Sequence, residues 1–483
     1  MRRFCIPAVL ALTLVLGMAP ALSGAEEGTH SDTIAHVKNL PYKLRHGQTK
    51  SYGTDIEFAR VAGRQYAFAG SYTNGLQILD ITSPTRTRRV ATYDCGISQG
   101  DVQVFRQGRR TYATYTSENT SSIVVASRCV RELAPKATED DKTPAYGTYI
   151  VDVTNPRRPA SAGFISVPEG SHNGSVHPSG KYFYNSNSNL YTNTMTDKGG
   201  QPGIEIYDIR NVAKPRRVGQ LDLPFVPASL GTESHDLTFN ASGSRAYSAA
   251  LSQGVIINST NPAKPKIVST IVDPTINVWH QADPVTLTAA DGTKRKFLVA
   301  EDEYAGAAGG PHCPSGGVHI YEITGALESD PVKVGYWNID DMRLTSPTGR
   351  CTAHVFDIHE KEGIMTMAFY NGGIRVVDLN GLAGIGLGDT TVAGSPMVEL
   401  GHYYFPNSDT WSVKAPTINA KGNFFLYGND VSRGLDVYKF TAPKAAKADA
   451  GGTWMTPTEA AAALPRLSTA AGYEPFCLLS DRL

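Results

Sequence analysis

The chain reads as an all-β protein, a seven-bladed β-propeller with an N-terminal strand closing the last blade. One strand motif, a hairpin pattern ahead of it, and an unpaired strand near the N-terminus predict this. The motif returns seven times: Gly75-Leu-Gln-Ile-Leu-Asp, Gly147-Thr-Tyr-Ile-Val-Asp, Gly203-Ile-Glu-Ile-Tyr-Asp, Gly254-Val-Ile-Ile-Asn, Gly317-Val-His-Ile-Tyr-Glu, Gly373-Ile-Arg-Val-Val-Asp and Gly434-Leu-Asp-Val-Tyr-Lys. A strand signature recurring every ~60 residues suits a propeller blade, and seven copies suit a closed ring. The 47 glycines and 29 prolines among 483 residues supply the many turns such a ring needs.

Each motif alternates its side chains as a β-strand requires. Its opening glycine suits a turn or a close backbone approach. Asp80, Asp152, Asp208 and Asp378 close the strand in four copies, with Glu322 in a fifth, and turns such as Ser83-Pro84 and Asn155-Pro156 follow. The copy at Gly254 is short and lacks the Asp, and Lys439 replaces it after Gly434. Upstream lie hairpin patterns, clearest in Ser234-His-Asp-Leu-Thr-Phe-Asn-Ala-Ser-Gly-Ser-Arg and Ser171-His-Asn-Gly-Ser-Val-His-Pro-Ser-Gly-Lys. Each is expected to form the inner half of a blade. Ala35-His-Val-Lys-Asn-Leu, ahead of Pro41, resembles the strand after each glycine motif, whereas none follows Gly434. The N-terminal segment is therefore expected to complete the last blade and remove an open edge.

Leu76–Asp80, Tyr149–Asp152 and Ile374–Asp378, each with its turn, resemble the LVIVD-repeat proteins, and the resemblance runs from Thr54 to Thr441. It implies a secreted or surface-exposed propeller and no settled activity.

At the N-terminus, Arg2 and Arg3 precede an apolar run from Ile6 to Met18 and small residues ending Ser23-Gly24-Ala25. This predicts a signal peptide over 1–25, cleavage near Ala25, and a secreted protein without a membrane span. The propeller is expected over 26–441. An Ala-rich, loosely attached tail follows over 442–483, with a short helix starting at Thr456-Pro457. In an oxidising compartment, Cys95 with Cys129 and Cys313 with Cys351 are the natural disulfides, leaving Cys477 over. Formal net charge is +0 and charged residues make up 19%, with no basic stripe for nucleic acid. A monomer is expected.

Aligning the hairpins puts Thr54, Gly100, His172, His235, His280, His354 and Lys414 in one column, and four of these seven are histidines in a chain with 12. Inner strands start near the central channel, where His172, His235, His280 and His354 can meet. Neutral imidazoles there would ligate Fe, Cu or Zn, with Asp236, Asn173, Ser171, Ser234, Glu233 and Asp283 as outer partners. The blander expectation is that these histidines hydrogen-bond across blades. Glu301 and Glu303 follow a strand and are candidate acid–base carboxylates beside His280. Lys414, Trp411 and Asp236 are candidate ligand contacts in the channel. His312, beside Cys313, is expected in a disulfide-stapled loop. Two functions remain open: a binding or scaffold protein recognising a protein, glycan or small molecule at one face, and a metal-dependent oxidoreductase, hydrolase or lyase with a four-histidine site.

Overall fold

The computed structural model describes residues 28–45, 47–118, 123–134, 146–188, 203–226, 231–303, 313–340, 351–387, 395–443 and 451–464. Seven antiparallel sheets follow one another around an axis. Their innermost strands are Gly53–Val61, Gln99–Gln107, Ser171–Val176, Asp236–Phe239, Trp279–Thr288, His354–His359 and Thr410–Lys414, which begin blades 1 to 7 in that order. The glycine motif forms the third strand of every blade, for example Leu76–Asp80 in blade 1 and Ile374–Asp378 in blade 6.

Alternation along the motif has a packing consequence. Leu76 and Ile78 enter the core shared with blade 2, whereas Leu79 points into the core shared with blade 7. The strand is thus buried on both faces, and each blade grips both neighbours through one run of five residues. The glycines meet a backbone demand. Gly75 has φ +86°, and a Cβ there would run into the Tyr93 carbonyl.

The recurring Asp has a mechanical role too. Asp80 Oδ1 accepts from Thr82 N at 3.2 Å and from Thr82 Oγ1 at 2.7 Å, and Asp378 Oδ1 accepts from Asn380 N at 2.8 Å. The carboxylate turns the chain out of the strand toward the outer edge. In blade 4, Asn258 Oδ1 accepts from Thr260 N at 3.1 Å, so the copy lacking Asp keeps the same turn.

Ile34–Leu40 pairs antiparallel with Gly434–Phe440 as the outer strand of blade 7, His36 opposite Tyr438 and Leu40 opposite Leu435. The ring is therefore closed by its N-terminal strand. Thr29–His30 adds a fifth strand to blade 6. The tail differs from its expected loose attachment over 451–464. There Thr453–Met455 adds a fifth strand to blade 5, with Trp454 opposite Trp337 and packed on that core. Three residues of strand are too few to show periodicity, which is why this docking has no sequence signature. Pro457–Ala463 is a helix whose cap Thr456 forms a capping box with Glu459.

Disulfides join Cys95 to Cys129 and Cys313 to Cys351. Among the described residues, no helix is long and apolar enough to cross a membrane. The predicted signal peptide, His312 and Cys477 lie outside the described residues.

Candidate metal centre and axial cavity

The inner strands enter the channel in matching register. Ile56 faces Ala69, Val102 faces Tyr115, Leu237 faces Ser248, Ala282 faces Ala300, Phe356 faces Met367 and Val413 faces Gly428. Two residues before these positions stand Thr54, Gly100, His235, His280, His354 and Trp411; His172 holds the place in blade 3, two before Gly174, which faces Asn185. Lys414 is not in this column, as aligned from the sequence. It stands three residues further along its strand, level with Glu57, Asp283 and Asp357.

The four imidazoles form an arc of neighbours. Ring centroids lie 4.2 Å apart for His172–His235, 4.2 Å for His235–His280 and 4.4 Å for His280–His354. The arc ends on Trp411, edge-on to His354 at 4.8 Å. All four histidines are buried. Each Nδ1 is engaged: His172 with Glu118 Oε1, His235 with the His280 carbonyl at 3.0 Å, His280 with Glu301 Oε2 at 2.9 Å, and His354 with the Trp411 carbonyl. Fixing Nδ1 fixes the direction of Nε2, as partners of metal-bound histidines do.

The Nε2 atoms do not share one environment. His172 Nε2 accepts from the Gln99 amide at 3.1 Å, so both its nitrogens are occupied. His280 Nε2 lies 3.8 Å from Glu303 Oε2, and His354 Nε2 lies 3.6 Å from Glu303 Oε1. His235, His280 and Glu303 each bring a ligand atom to within 4.8 Å of the others. Tyr370 donates its hydroxyl to Glu303 Oε1 at 2.6 Å and orients that carboxylate. The four expected histidines are thus brought together as an arc, and within it the tightest set of ligand atoms is His235, His280 and Glu303, with His354 against Glu303 and both nitrogens of His172 engaged. Glu303 stands on the ligand side, and Glu301 is the group behind His280.

Burial, reinforced by the neighbouring imidazoles of His280 and His172, holds His235 well below the usual histidine range; burial also lowers His280. Both rings are neutral near pH 7, the form a metal needs. Burial pushes the Glu301 carboxyl well up.

Glu118 and Gln99 were not singled out in the sequence. A signal for Glu118 exists: Ser117-Glu118 and Asp302-Glu303 both end the second strand of their blade, so the two glutamates occupy equivalent places. Gln99 directly precedes the column position Gly100 and carries no such signal.

Next to the arc is a cavity of about 280 Å³ along the axis, lined by His280, His354 and Trp411 at one end. Asp55, Glu57, Asp101, Asp236, Asp283 and Asp357 surround it, and among the described residues Lys414 is the only ammonium that lines it. All three residues expected at the channel, Lys414, Trp411 and Asp236, line it. Lys414 Nζ sits 2.9 Å from Asp55 Oδ1 and 2.7 Å from Glu57 Oε1. Burial opposes its charge, but these two carboxylates hold it well above the ordinary lysine range. Burial raises Glu57 to about 7 against the pull of Lys414, and raises Asp283 to about 7. Asp101 is pushed well up by burial and by the charges of Asp55 and Asp236.

No protein-family profile matches the chain, and no curated protein matches it either. Among solved structures it is similar to the β-propeller domain of Cps50 (Swd1) from Myceliophteria thermophila, with 11% identity, a TM-score of 0.45 and 81% of this chain covering 97% of that one. A protein from Lactobacillus plantarum gives 11% identity and a TM-score of 0.43, with 83% of this chain covering 99% of that one. The assignment as a seven-bladed β-propeller comes from the strand order itself.

Proposed function

We propose that this chain is a binding propeller whose ligand site is the axial cavity, and that a transition-metal ion at the cavity's end forms part of it. One observation carries the reading: His235, His280 and Glu303 converge within 4.8 Å while the far nitrogens of both rings are held by the protein. Imidazole and carboxylate donors suit Zn, Fe or Cu. His354 is the next imidazole beside the same carboxylate.

The test is elemental analysis of the protein purified without a metal-affinity step, beside a His235→Ala/His280→Ala variant. About one metal ion per chain is expected, with a folded variant that lacks it. A metal-free protein that still takes up none of Fe, Cu or Zn on reconstitution overturns the metal reading.

A second reading, a metal-dependent enzyme, draws on the cavity beside the ligand group. Few protein ligands next to an open space is the pattern by which catalytic sites leave room for substrate. Turnover abolished by chelation and restored by one metal would support it. The strand motif supports membership of the LVIVD-repeat proteins, and the two disulfides are compatible with the extracellular location the N-terminal sequence suggests.

A further inference from the structure

We infer that the axial cavity binds an organic amine, held by carboxylates that Lys414 leaves uncompensated, Asp101 and Asp283 foremost. This rests on the reading of the cavity as the ligand site and specifies its ligand by charge and donor chemistry.

Three observations carry it. Among the described residues, six carboxylates and one ammonium line the cavity, and that ammonium is committed to Asp55 and Glu57. The cavity therefore has room for a second cation and acidic groups that can ionise against one. Next, Gln99 lines the cavity, is only 3% exposed, and its Oε1 accepts no hydrogen bond among the described residues. The buried Oδ1 of Asp283 has no hydrogen-bond partner among them either. Buried acceptors lacking donors are costly, and an ammonium, with three N–H donors and no acceptor, satisfies such a set. Finally, the carboxylates do not suit a bare metal ion. Among the described residues, the only three His, Cys, Asp or Glu side chains whose ligand atoms lie within 4.8 Å of one another are His235, His280 and Glu303. The cavity carboxylates are spread around the wall, as an extended organic cation requires. Lys414 is the built-in example: a primary ammonium on an alkyl chain, seated between two of these acids.

The test is isothermal titration calorimetry of the intact protein at pH 7.5–8 with putrescine, with 1,4-butanediol as the neutral counterpart of equal length, and with Ca²⁺. Saturable binding of putrescine and none of the diol is expected. Asp101→Asn/Asp283→Asn should weaken putrescine binding by about tenfold or more. Protein stripped of metal with a chelator, with every cavity side chain intact, should retain it, so loss of the metal and loss of the amine site are read separately. No saturable heat with putrescine, equal binding of the diol, Ca²⁺ binding in place of the amine, or undiminished binding in the Asn variant would each overturn the inference. Should that double variant not melt cooperatively, the diamine–diol comparison on the unaltered protein decides.

Discussion

His172 and His235 occupy equivalent places in adjacent blades, yet their chemistry differs because of what stands behind each ring. Glu118 and Gln99 take both nitrogens of His172, whereas the His280 carbonyl takes Nδ1 of His235. His172→Ala is therefore expected to leave the metal content of the purified protein unchanged, which elemental analysis checks; a loss equal to that of His235→Ala would restore the four-histidine site. Tyr370→Phe removes the donor that fixes Glu303 and should weaken metal binding roughly tenfold, since outer partners of this type contribute 10- to 100-fold. Competition against a chromophoric chelator reads the change. The histidine arc was legible in the sequence because repeats place equivalent residues at equivalent depth. Gln99 was not, because it reaches the site from the residue ahead of the column; Glu118 was legible only through its equivalence to Glu303, which was not drawn. Lys414 was aligned to a place three residues ahead of its own, since Trp411-Ser412-Val413 carries no histidine to mark the column as its neighbours do.

At the scale of elements, the glycine motif predicted the third strand of all seven blades. The inner hairpins and the closing strand were equally readable, because each repeats or completes a pattern. The closing strand invites a direct test. Without Ile34–Leu40, Gly434–Phe440 becomes an open edge, and His36 no longer bonds Asp436 Oδ1 at 2.8 Å. Truncation through Leu40 should lower the melting temperature by roughly 10 °C or more and promote association through the bared strand. Truncation ahead of Gly28 is the control and should leave the melt unchanged. Scanning calorimetry with size-exclusion chromatography separates the two outcomes.

For the molecule as a whole, the acidic channel costs stability. The Asp283 carboxyl is raised by burial from 3.8 to about 7, so across that interval the folded state keeps a proton that the unfolded chain has released. The stability it contributes is full below pH 3.8 and is lost as the pH climbs to 7. Asp283→Asn, neutral at every pH, should raise the melting temperature by a few degrees at pH 8 and leave it unchanged at pH 3.5. An equal effect at both pH values would show that packing, not charge, governs the position. A fold that retains such a cost at its axis fits a site shaped for a cation.

The closing strand also dictates an order of assembly. Residues 34–40 leave the ribosome well before their partner, residues 434–440, with all the other blades made in between. That strand must wait, unpaired, until the seventh blade is made. Six blades can collapse against their neighbours as they emerge, but the hoop acquires its final circumference only when its two ends meet. Any ligand whose contacts come from several blades, as at the channel, must therefore find its site after that last joining, when the protein already stands as a ring.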